Sequence, residues 1–397
     1  MTDFTRTRSH FQLPPGVVYL DGNSLGPPTV NTAAALARRV TDEWGAHLVQ
    51  SWNKAGWMTQ PRQLADLIAP LIGAPSGSVA LSDTLSLKVF QALAAALDLN
   101  SRRRVILSDT GNFPSDLYIA QGLVRMLDRG HTLKLVAPEA VAASIDEEVA
   151  VVLLTEVDYR TARRHDMKAI TRRAHDAGAL TIWDLAHSTG AIPVNVLDAD
   201  ADFAAGCTYK YLNAGPGAPA FVYVNEKHLE RVRPALSGWL GHEAPFSFDV
   251  DYRPGRGIER MRVATHQVLA MPALQAALSV WEGVTIGDVR AASIALSELF
   301  IREVERRCPE LALVSPRNPA ERGSHVSFRH PDGYPVMQAL IARGVIGDFR
   351  MPDMIRFGIT PLYIGEPEIR RAVDILEDVL TKRVWTEPVY QRKAFVT

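Results

Sequence analysis

A lysine lies in an apolar stretch of the sequence, FAAGCTYKYLNAGPGAPAFVYV, between Phe203 and Val224. This lysine, Lys210, has a tyrosine on each side and precedes a glycine-rich turn. The other lysines are expected in polar or basic surroundings such as NEKHLERVR and LTKRVW. Burial lowers the pKa of a lysine because the ammonium loses hydration, and the free amine is a nucleophile that forms Schiff bases with aldehydes. Lys210 is therefore the first residue to consider for chemistry.

Other polar or aromatic positions also follow predicted strands. Asp184 ends the apolar run LTIW, and Phe113 lies in NFPSD. At a third position, Thr84, Leu85 and Ser86 lie where a predicted strand ends and a helix begins. Pyridoxal phosphate needs an amine for its aldehyde, an acid for its pyridine nitrogen, a flat group against its ring and donors for its phosphate. Lys210, Asp184, Phe113 and the turn at Thr84 match these four needs in that order.

Each position also has an ordinary explanation. A single lysine near a strand end is most often a surface residue, because perturbed groups mark function only statistically. Asp184 alone could cap a helix, His187 alone could be a structural histidine, and the turn at Thr84 could be any N-cap. The occurrence of all these groups in one order along the chain favours the functional interpretation.

The elements that must position these residues are those of an α/β protein. Short continuous apolar runs are typical of strands buried on both faces of a mostly parallel sheet; they are SVALS, RVILSD, VAVVLLT, ALTIWD, DFAAGCT and PAFVYV. Helical patterns such as SLKVFQALAAAL and DMKAITRRAHDAG separate them. Because parallel strands deliver their carboxyl ends to one edge, the polar residues after them are expected in one pocket.

The pattern changes along the chain and predicts three parts. Residues 1–55 form an N-terminal arm and helix that join the smaller domain, and residues 56–265 form a large cofactor-binding α/β domain. Residues 266–397 form a small α+β domain, with long amphipathic helices around a few isolated strands such as SHVSFRH and MIRFGI.

Composition excludes several partners. The chain has 397 residues, with 43 basic and 44 acidic side chains and a net charge of -1, so no global field would attract nucleic acid or an anionic membrane. Its two cysteines, Cys207 and Cys308, give no pattern of a zinc site or redox pair, and no metal is expected. No signal peptide or membrane-length apolar run occurs, which predicts a cytoplasmic protein.

The chain resembles the kynureninases, a family of fold-type-I pyridoxal phosphate enzymes within the class V aminotransferase-like superfamily. The resemblance covers nearly the whole length. It rests on the segments YLDGNSLGPP, EWG, SWNKAGW, NFPSD, WDLAHSTGAIPV, CTYKYLNAGPGAPAFVYV, SGWLGHEAPFSFD and ARGVIGDFRMPDMIRFGITPLY. It implies a large domain with a mostly parallel sheet flanked by helices, a smaller C-terminal domain and a homodimer.

The resemblance also implies roles for individual residues. Lys210 is the Schiff-base lysine, Asp184 the partner of the pyridine nitrogen and Tyr209 either a proton shuttle or a holder of the phosphate. The remaining cofactor residues are Thr84, Leu85, Ser86, Phe113, Ser115, Asp116, His187, Trp239 and Thr265. Of these, Trp239 and Thr265 are expected to reach across from the second subunit.

Two further residues are carried over for the substrate. Arg356, in DMIRFGITPLY, matches the arginine that pairs with the α-carboxylate, and a guanidinium suits this because it bonds a carboxylate in a planar, bidentate way. Trp52, in SWNKAGW, lines the aryl pocket or packs in the core. His266 and Gln267 stand where relatives usually carry two prolines, and APFSFD alters a loop near the substrate.

The implied reaction is hydrolysis of the amino acid L-kynurenine to anthranilate and L-alanine in tryptophan catabolism, with 3-hydroxy-L-kynurenine as a second substrate. The alternative is another lyase of this fold, such as a cysteine desulfurase. A desulfurase needs a mobile nucleophilic cysteine, whereas Cys207 lies in an apolar strand and Cys308 near the end of a helix. A carrier that has lost the chemistry would not need Lys210, Asp184 and Arg356 together.

Overall fold

The computed structural model describes residues 2–392, and the strands within that range form three sheets. In chain order the strands are β1 (Val18–Tyr19), β2 (Val79–Ser82), β3 (Val105–Asp109), β4 (Thr132–Val136), β5 (Val149–Thr155), β6 (Leu180–Asp184), β7 (Phe203–Cys207), β8 (Ala220–Val224), β9 (Ala312–Leu313), β10 (His325–Arg329), β11 (Val345–Ile346), β12 (Asp348–Arg350) and β13 (Met354–Gly358).

Helices fill most of the intervals between the strands. They are α1 (Phe4–Ser9), α2 (Thr32–Arg38), α3 (Ser51–Lys54), α4 (Gln60–Ile68), α5 (Leu85–Leu99), α6 (Pro114–Leu127), α7 (Met167–Asp176), α8 (Glu226–Leu229), α9 (Met271–Leu278), α10 (Ile286–Arg307), α11 (Gly333–Ala342) and α12 (Glu366–Thr381). A π-helical segment, Arg39–Gly45, continues α2.

The largest sheet has seven strands in the order β2-β8-β7-β6-β5-β3-β4. The five strands from β7 to β4 are parallel, and β8 runs antiparallel to β2 and β7. Strands β5, β7 and β8 are buried along their whole length. This confirms the mostly parallel α/β sheet that the continuous apolar runs predict.

Helices cover both faces of this sheet. On one face Leu93 of α5 packs in the same core as Ile182 of β6, and on the other Ile170 of α7 packs with Trp183. Ile182 and Trp183 are neighbours in one strand, so their side chains point to opposite faces. Strand β4, at the edge, is mostly exposed and reads TLKLV, so it lacks the apolar run by which the other strands were predicted.

A second, antiparallel sheet lies in the C-terminal part of the chain, in the order β12-β13-β10-β9. The sequence predicts isolated strands here, and the structure instead pairs SHVSFRH with MIRFGI as β10 and β13. Phe328 of β10 and Phe357 of β13 share a core with Phe300 of α10 and Leu376 of α12. The edges of such a sheet are short, which is why local sequence signals for them are weak.

The N-terminal residues join this C-terminal part through a third, two-stranded sheet, in which β1 pairs with β11. The division of the chain at residues 55 and 265 stays a prediction. None of the helices within residues 2–392 combines the length and apolar character that crossing a membrane requires.

A buried carboxylate ties together the strands that lead to the expected site. Asp202, just before β7, accepts hydrogen bonds from the backbone amide of Thr181 in β6 at 2.8 Å and from the rings of His175 and His228 at 2.7 Å each. Burial opposes ionisation of Asp202, but the histidine hydrogen bonds outweigh it and hold its pKa well below the usual range. The Asp202 contacts therefore couple β6 to β7.

We predict that Asp202→Ala lowers the free energy of unfolding by about 3 kcal/mol at pH 7, because a buried amide and two histidines lose their charged acceptor. The stability from Asp202 is present above the pKa of an unfolded aspartate, about 3.9, and is lost as the pH falls toward the lower folded value. Urea unfolding at pH 7 and at pH 2.5, below the pKa of an unfolded aspartate, measures both effects.

The matched control is Asp198→Ala, since Asp198 pairs with Lys168 and both side chains are more than half exposed. An exposed pair contributes about 1 kcal/mol or less. Equal losses for the two variants would show that Asp202 does not hold the strands.

Candidate active site

The expected site residues follow strands that point the same way. Strand β2 runs antiparallel to β8, and β8 runs antiparallel to β7, so β2 and β7 share a direction. Strands β3 and β6 lie parallel to β7 within the same sheet. The turns after these four strands therefore meet at one edge of the sheet, as carboxyl ends do in open α/β folds.

Lys210 lies in the turn after β7 and is half-buried. Its Nζ lies 5.8 Å from the ring centroid of Phe113 and 5.8 Å from that of Tyr209. Burial raises the pKa of Asp184, and the positive charge of Lys210 offsets part of that rise. The amine thus sits between aromatic rings and beside a carboxylate, which is the arrangement that the sequence predicts.

Asp184 belongs to a pair of buried carboxyl groups. The backbone amide of Ala186 donates to Asp184 at 2.7 Å, and Asp116 shares a side-chain hydrogen bond with Asp184. Burial raises the pKa of both acids, and the charge of Asp184 raises that of Asp116 further. Asp116 therefore keeps the proton and donates it to an ionised Asp184, whose negative charge can hold a protonated ring nitrogen.

His187 and Asp116 each carry a buried polar atom without a partner, the Nδ1 of His187 and the Oδ2 of Asp116. Burial lowers the pKa of His187 well below its ordinary value, and the charge of Lys210 adds to the effect. A neutral imidazole with a free nitrogen can form a hydrogen bond with a polar substituent on the ring of a bound ligand. Unpaired buried atoms are costly, and a bound polar ring at this edge would satisfy them.

The turn after β2 offers an anion site. Thr84 is the N-cap of α5, a helix of 15 residues, and its side chain makes no capping hydrogen bond. Thr84 is exposed, while Leu85 and Ser86 are half-buried. The first amides of a helix lack partners within the helix and attract negative charge. The start of α5 therefore fits a phosphate group.

Phe113 stands at the start of α6 with part of its ring open. It is 37% exposed, and its ring lies edge-on to that of Tyr159 at 5.1 Å between centroids. The side chain of Asn112 accepts the backbone N–H of Phe113 at 2.7 Å. The next residues, Ser115 and Asp116, form the first turn of α6. The open face of Phe113 is available for a flat ligand.

Arg356 is fully buried in β13 and already engaged. Its Nε donates to Asp348 at 2.6 Å, a second nitrogen also donates to Asp348, and a third contacts the carbonyl of Tyr159. Ser24 accepts from Arg356 at 3.2 Å. Burial opposes the charge of Asp348, but Arg356 outweighs it and lowers the pKa of Asp348 to about 2.

Sequence reasoning gave no role to Asp348, Ser24 or Asp21, although the segments YLDGNSLGPP and ARGVIGDFR contain them. Arg350 also forms an ion pair with Asp348, with 2.8 Å between nitrogen and oxygen. Burial and the nearby Asp348 raise the pKa of Asp21 to about 8. The segment with Asp21 and Ser24 lies more than 300 positions from the segment with Asp348, so no local pattern could join them.

Three of the predicted residues have other contacts. Trp52 packs against Trp57 and His266, with ring centroids 5.6 and 5.9 Å apart. Trp239 packs against Phe246 at 5.8 Å, and Thr265 is exposed. Within residues 2–392 no hydrogen bond or ring contact joins Trp52, Trp239 or Thr265 to Lys210. Their roles stay predictions.

The half-buried phenol of Tyr209 stays protonated at neutral pH, because burial raises its pKa. It can therefore donate a hydrogen bond or a proton. Its backbone carbonyl accepts the amide of Gly26 at 2.8 Å. This bond brings the N-terminal segment against the turn that carries Lys210.

A lysine to which the sequence gave no role is also buried. Lys88, in the apolar stretch SLKVFQALAAAL, is completely buried, and its amine lies among polar side chains. Its Nζ donates to Ser82 at 2.8 Å, to Gln91 at 3.0 Å and to Asp83 at 3.2 Å. Burial lowers the pKa of Lys88 to about 8 despite the nearby Asp83. The chain therefore buries a second lysine, next to the turn at Thr84.

In the part of the chain that the structure describes, no group of three or more histidine, cysteine or acidic side chains is placed to hold a metal ion. The polar groups at the sheet edge instead comprise an amine, a carboxyl pair, a neutral imidazole and a helix start. Such a set fits an organic cofactor that carries an aldehyde, a basic ring nitrogen and a phosphate.

Comparison with known structures supports the fold. A cysteine desulfurase from Thermococcus onnurineus aligns with a TM-score of 0.80 and 19% identity over 96% of this chain and 99% of that one. C-DES with glycine covalently linked to its PLP cofactor aligns with a TM-score of 0.81 and 18% identity over 95% of this chain and 100% of that one. At such identities the likeness shows the fold-type-I architecture alone.

Sequence comparison is more specific. Residues 289–376 match the family model of the kynureninase C-terminal domain. The chain is 48% identical to kynureninase from Pseudomonas fluorescens over 98% of its length and 95% of the relative. It is also 48% identical to kynureninase from Burkholderia pseudomallei, with the same coverage. The chain therefore belongs to the kynureninase family.

Proposed function

We propose that the protein uses pyridoxal phosphate to hydrolyse L-kynurenine to anthranilate and L-alanine, and that it also accepts 3-hydroxy-L-kynurenine, which yields 3-hydroxyanthranilate. One observation carries the proposal: the Lys210 amine lies between two aromatic rings at the sheet edge where the buried pair of Asp184 and Asp116 also lies. Membership of the kynureninase family adds the substrate.

The cofactor would be held by the residues at this edge. Lys210 would bind its aldehyde, Asp184 its ring nitrogen and His187 a polar ring substituent, while Phe113 would cover one face of the ring. Thr84, Leu85, Ser86 and Tyr209 would bind the phosphate. When bound, pyridoxal phosphate supplies an electron sink for the substrate carbon that loses its proton.

The proton transfers fall to Lys210 and Tyr209. The Lys210 amine, when it is not bonded to the cofactor, would be a base within the pocket that can take the proton from Cα. When water adds to the γ-carbonyl carbon and the bond between Cβ and Cγ breaks, Cβ gains a proton, which the protonated phenol of Tyr209 can donate. A general acid or base must lie within hydrogen-bond reach of its target, and both groups share one turn.

The charge balance around Arg356 suits an α-carboxylate. Arg356 and Arg350 are both positive, whereas Asp348 is ionised and Asp21, with a pKa of about 8, is protonated at neutral pH. Two positive charges therefore face one negative charge. A substrate carboxylate would complete the balance without leaving a buried charge unpaired.

The aryl end of the substrate is assigned to the region of Trp52. The rings of Trp52, Trp57 and His266 meet edge-on, so they form a rigid aromatic wall. Burial lowers the pKa of His266 to about 4, so this histidine is neutral at physiological pH. A neutral aromatic wall favours an uncharged aniline ring.

The active form is proposed to be a homodimer. Residues 239–250 and the N-terminal helical region expose an unusual number of large apolar side chains: Trp239, Phe246, Phe248, Val250, Trp44, Leu48 and Val49. Exposed apolar patches of this kind mark interfaces between proteins. In the dimer, Trp239 and Thr265 would serve the site of the other subunit.

The desulfurase alternative lacks its nucleophile. Cys207 is 3% exposed and Cys308 1% exposed. Burial raises the pKa of Cys207 to about 11 and that of Cys308 to about 12, so neither is a thiolate at neutral pH. Both cysteines are also unpaired, which fits the reducing cytoplasm that we propose as the location.

We predict that Lys210→Met abolishes labelling by borohydride and lowers kcat for L-kynurenine by on the order of 10³-fold or more, because the base and the cofactor's attachment point are lost together. Fluorescence of released anthranilate measures turnover. The control is Lys168→Met, at an exposed surface lysine. Release of sulfide from cysteine with no anthranilate from kynurenine would contradict the proposed reaction.

We predict that Arg356→Lys raises KM for L-kynurenine about 10- to 100-fold while the bound cofactor keeps its visible absorbance. A lysine retains the charge but loses the planar pair of donors that a carboxylate needs. Arg329→Lys, at an exposed arginine in the neighbouring strand β10, is the matched control and leaves KM unchanged. An unaltered KM in Arg356→Lys would remove this arginine from substrate binding.

We predict that the double variant Phe248→Asp/Val250→Asp is a monomer with little activity, since charges at these positions oppose burial of the apolar patch. Light scattering after size-exclusion chromatography gives the mass. Val389→Asp changes an exposed valine outside the patch and serves as the control. A fully active monomer would exclude a contribution of the second subunit to the site.

A further inference from the structure

The turn that precedes α5 carries an acidic residue where an anion is expected. Asp83 comes directly before Thr84, the N-cap of the helix, and has a φ of 57°, in the left-handed region. Aspartate is among the residues that best cap helix starts, because its carboxylate accepts the unpaired amides there. A free Asp83 would therefore compete with a phosphate for the same donors and repel its charge.

In the structure, the carboxylate of Asp83 is turned toward Lys88 instead. Its Oδ2 accepts from the Nζ of Lys88 at 3.2 Å and from the hydroxyl of Ser82 at 2.7 Å. Lys88 lies one turn into α5 and is completely buried. A buried ammonium is stable only when it is paired and its donors are used. Lys88 meets this condition through Asp83, Ser82 and Gln91.

A second segment of the chain holds the same turn from outside. The backbone amide of Asp83 donates to the side chain of Gln267 at 3.1 Å, and the side chain of Gln91 donates to the carbonyl of Met261 at 3.1 Å. Gln267 is one of the two residues that depart from the usual prolines. A proline has no side-chain acceptor, so this chain has a contact to the turn that a proline could not make.

We propose that Lys88 is a positioning residue that holds the Asp83 carboxylate away from the start of α5 and so keeps the helix amides free for the phosphate of the cofactor. The proposal rests on the proposed function only in taking the anion at this turn to be that phosphate. Lys88 itself does not contact the cofactor: its donors are used by protein groups. Its effect comes from pairing with Asp83, the acid that directly precedes the helix start.

The test compares the binding of two probes to the apoprotein. Pyridoxal phosphate and pyridoxal share every group except the phosphate. We expect Lys88→Met to weaken the binding of pyridoxal phosphate about tenfold or more and to leave the binding of pyridoxal unchanged. The size of the effect is that of a hydrogen-bonded charge that loses its partner. Quenching of tryptophan fluorescence gives both dissociation constants, and competition by inorganic phosphate measures the anion site alone.

The double variant Lys88→Met/Asp83→Asn distinguishes positioning from a structural role. If Lys88 acts by restraining the Asp83 carboxylate, removal of that charge restores the affinity for pyridoxal phosphate to within about threefold of wild type. Affinity that stays weak in the double variant would overturn the proposal, as would a Lys88→Met variant that binds pyridoxal phosphate like wild type.

The single variant Asp83→Asn keeps the test decisive if Lys88→Met does not fold. It removes the competing charge, so inorganic phosphate is expected to bind at least as tightly as in wild type; weaker binding would show that the carboxylate builds the site and would overturn the proposal. None of these measurements needs turnover. Anthranilate release by the wild-type protein therefore tests the proposed reaction separately.

Discussion

The parallel pairing of β6 with β7 is the constraint on which the site depends. Its register sets Asp184 beside Ala205, and the amide of Leu185 donates to the carbonyl of Ala205 at 2.7 Å. Lys210 lies five residues after Ala205, in the turn that follows β7. A slip of one residue would turn Asp184 to the opposite face, since side chains alternate along a strand. Asp202 prevents the slip at the other end of the pair, because it accepts the amide of Thr181.

Burial then sets the charges that this register brings together. In water, Asp116 and Asp184 would both be ionised and would repel each other. Inside the protein, desolvation makes two adjacent negative charges more costly than one, so one proton stays between them and Asp116 holds it. The result is a single negative charge fixed by a hydrogen bond. Burial acts in the same way near Arg356. Asp21 stays protonated there, and the ionised Asp348 pairs with the guanidinium groups of Arg356 and Arg350.

The sequence predicted the parts whose signals are local. Six strands of the large sheet are continuous apolar runs. The residues after four of them, β2, β3, β6 and β7, lie at one edge because these strands share a direction. Strand β4 was not predicted, because it is mostly exposed and its residues alternate between polar and apolar. Asp348 and Ser24 were not predicted as partners of Arg356, since their contact joins segments from opposite ends of the chain. The burial of Lys88 was not predicted, because it depends on side-chain partners that only the folded structure brings to its amine.

Lys88 and Lys210 together show what separates a structural lysine from a reactive one. Both stand in apolar stretches, so composition alone cannot tell them apart. Lys88 uses its donors on Ser82, Asp83 and Gln91, and an amine that is fully hydrogen-bonded within the core has no orbital or path for an electrophile. Among the described residues, no hydrogen bond holds the amine of Lys210, which lies 5.8 Å from the ring centroids of Phe113 and Tyr209 and interacts with Asp184 through its charge. Weak contacts of this kind leave an amine free to react and to move, which is what a base that must also release its cofactor requires.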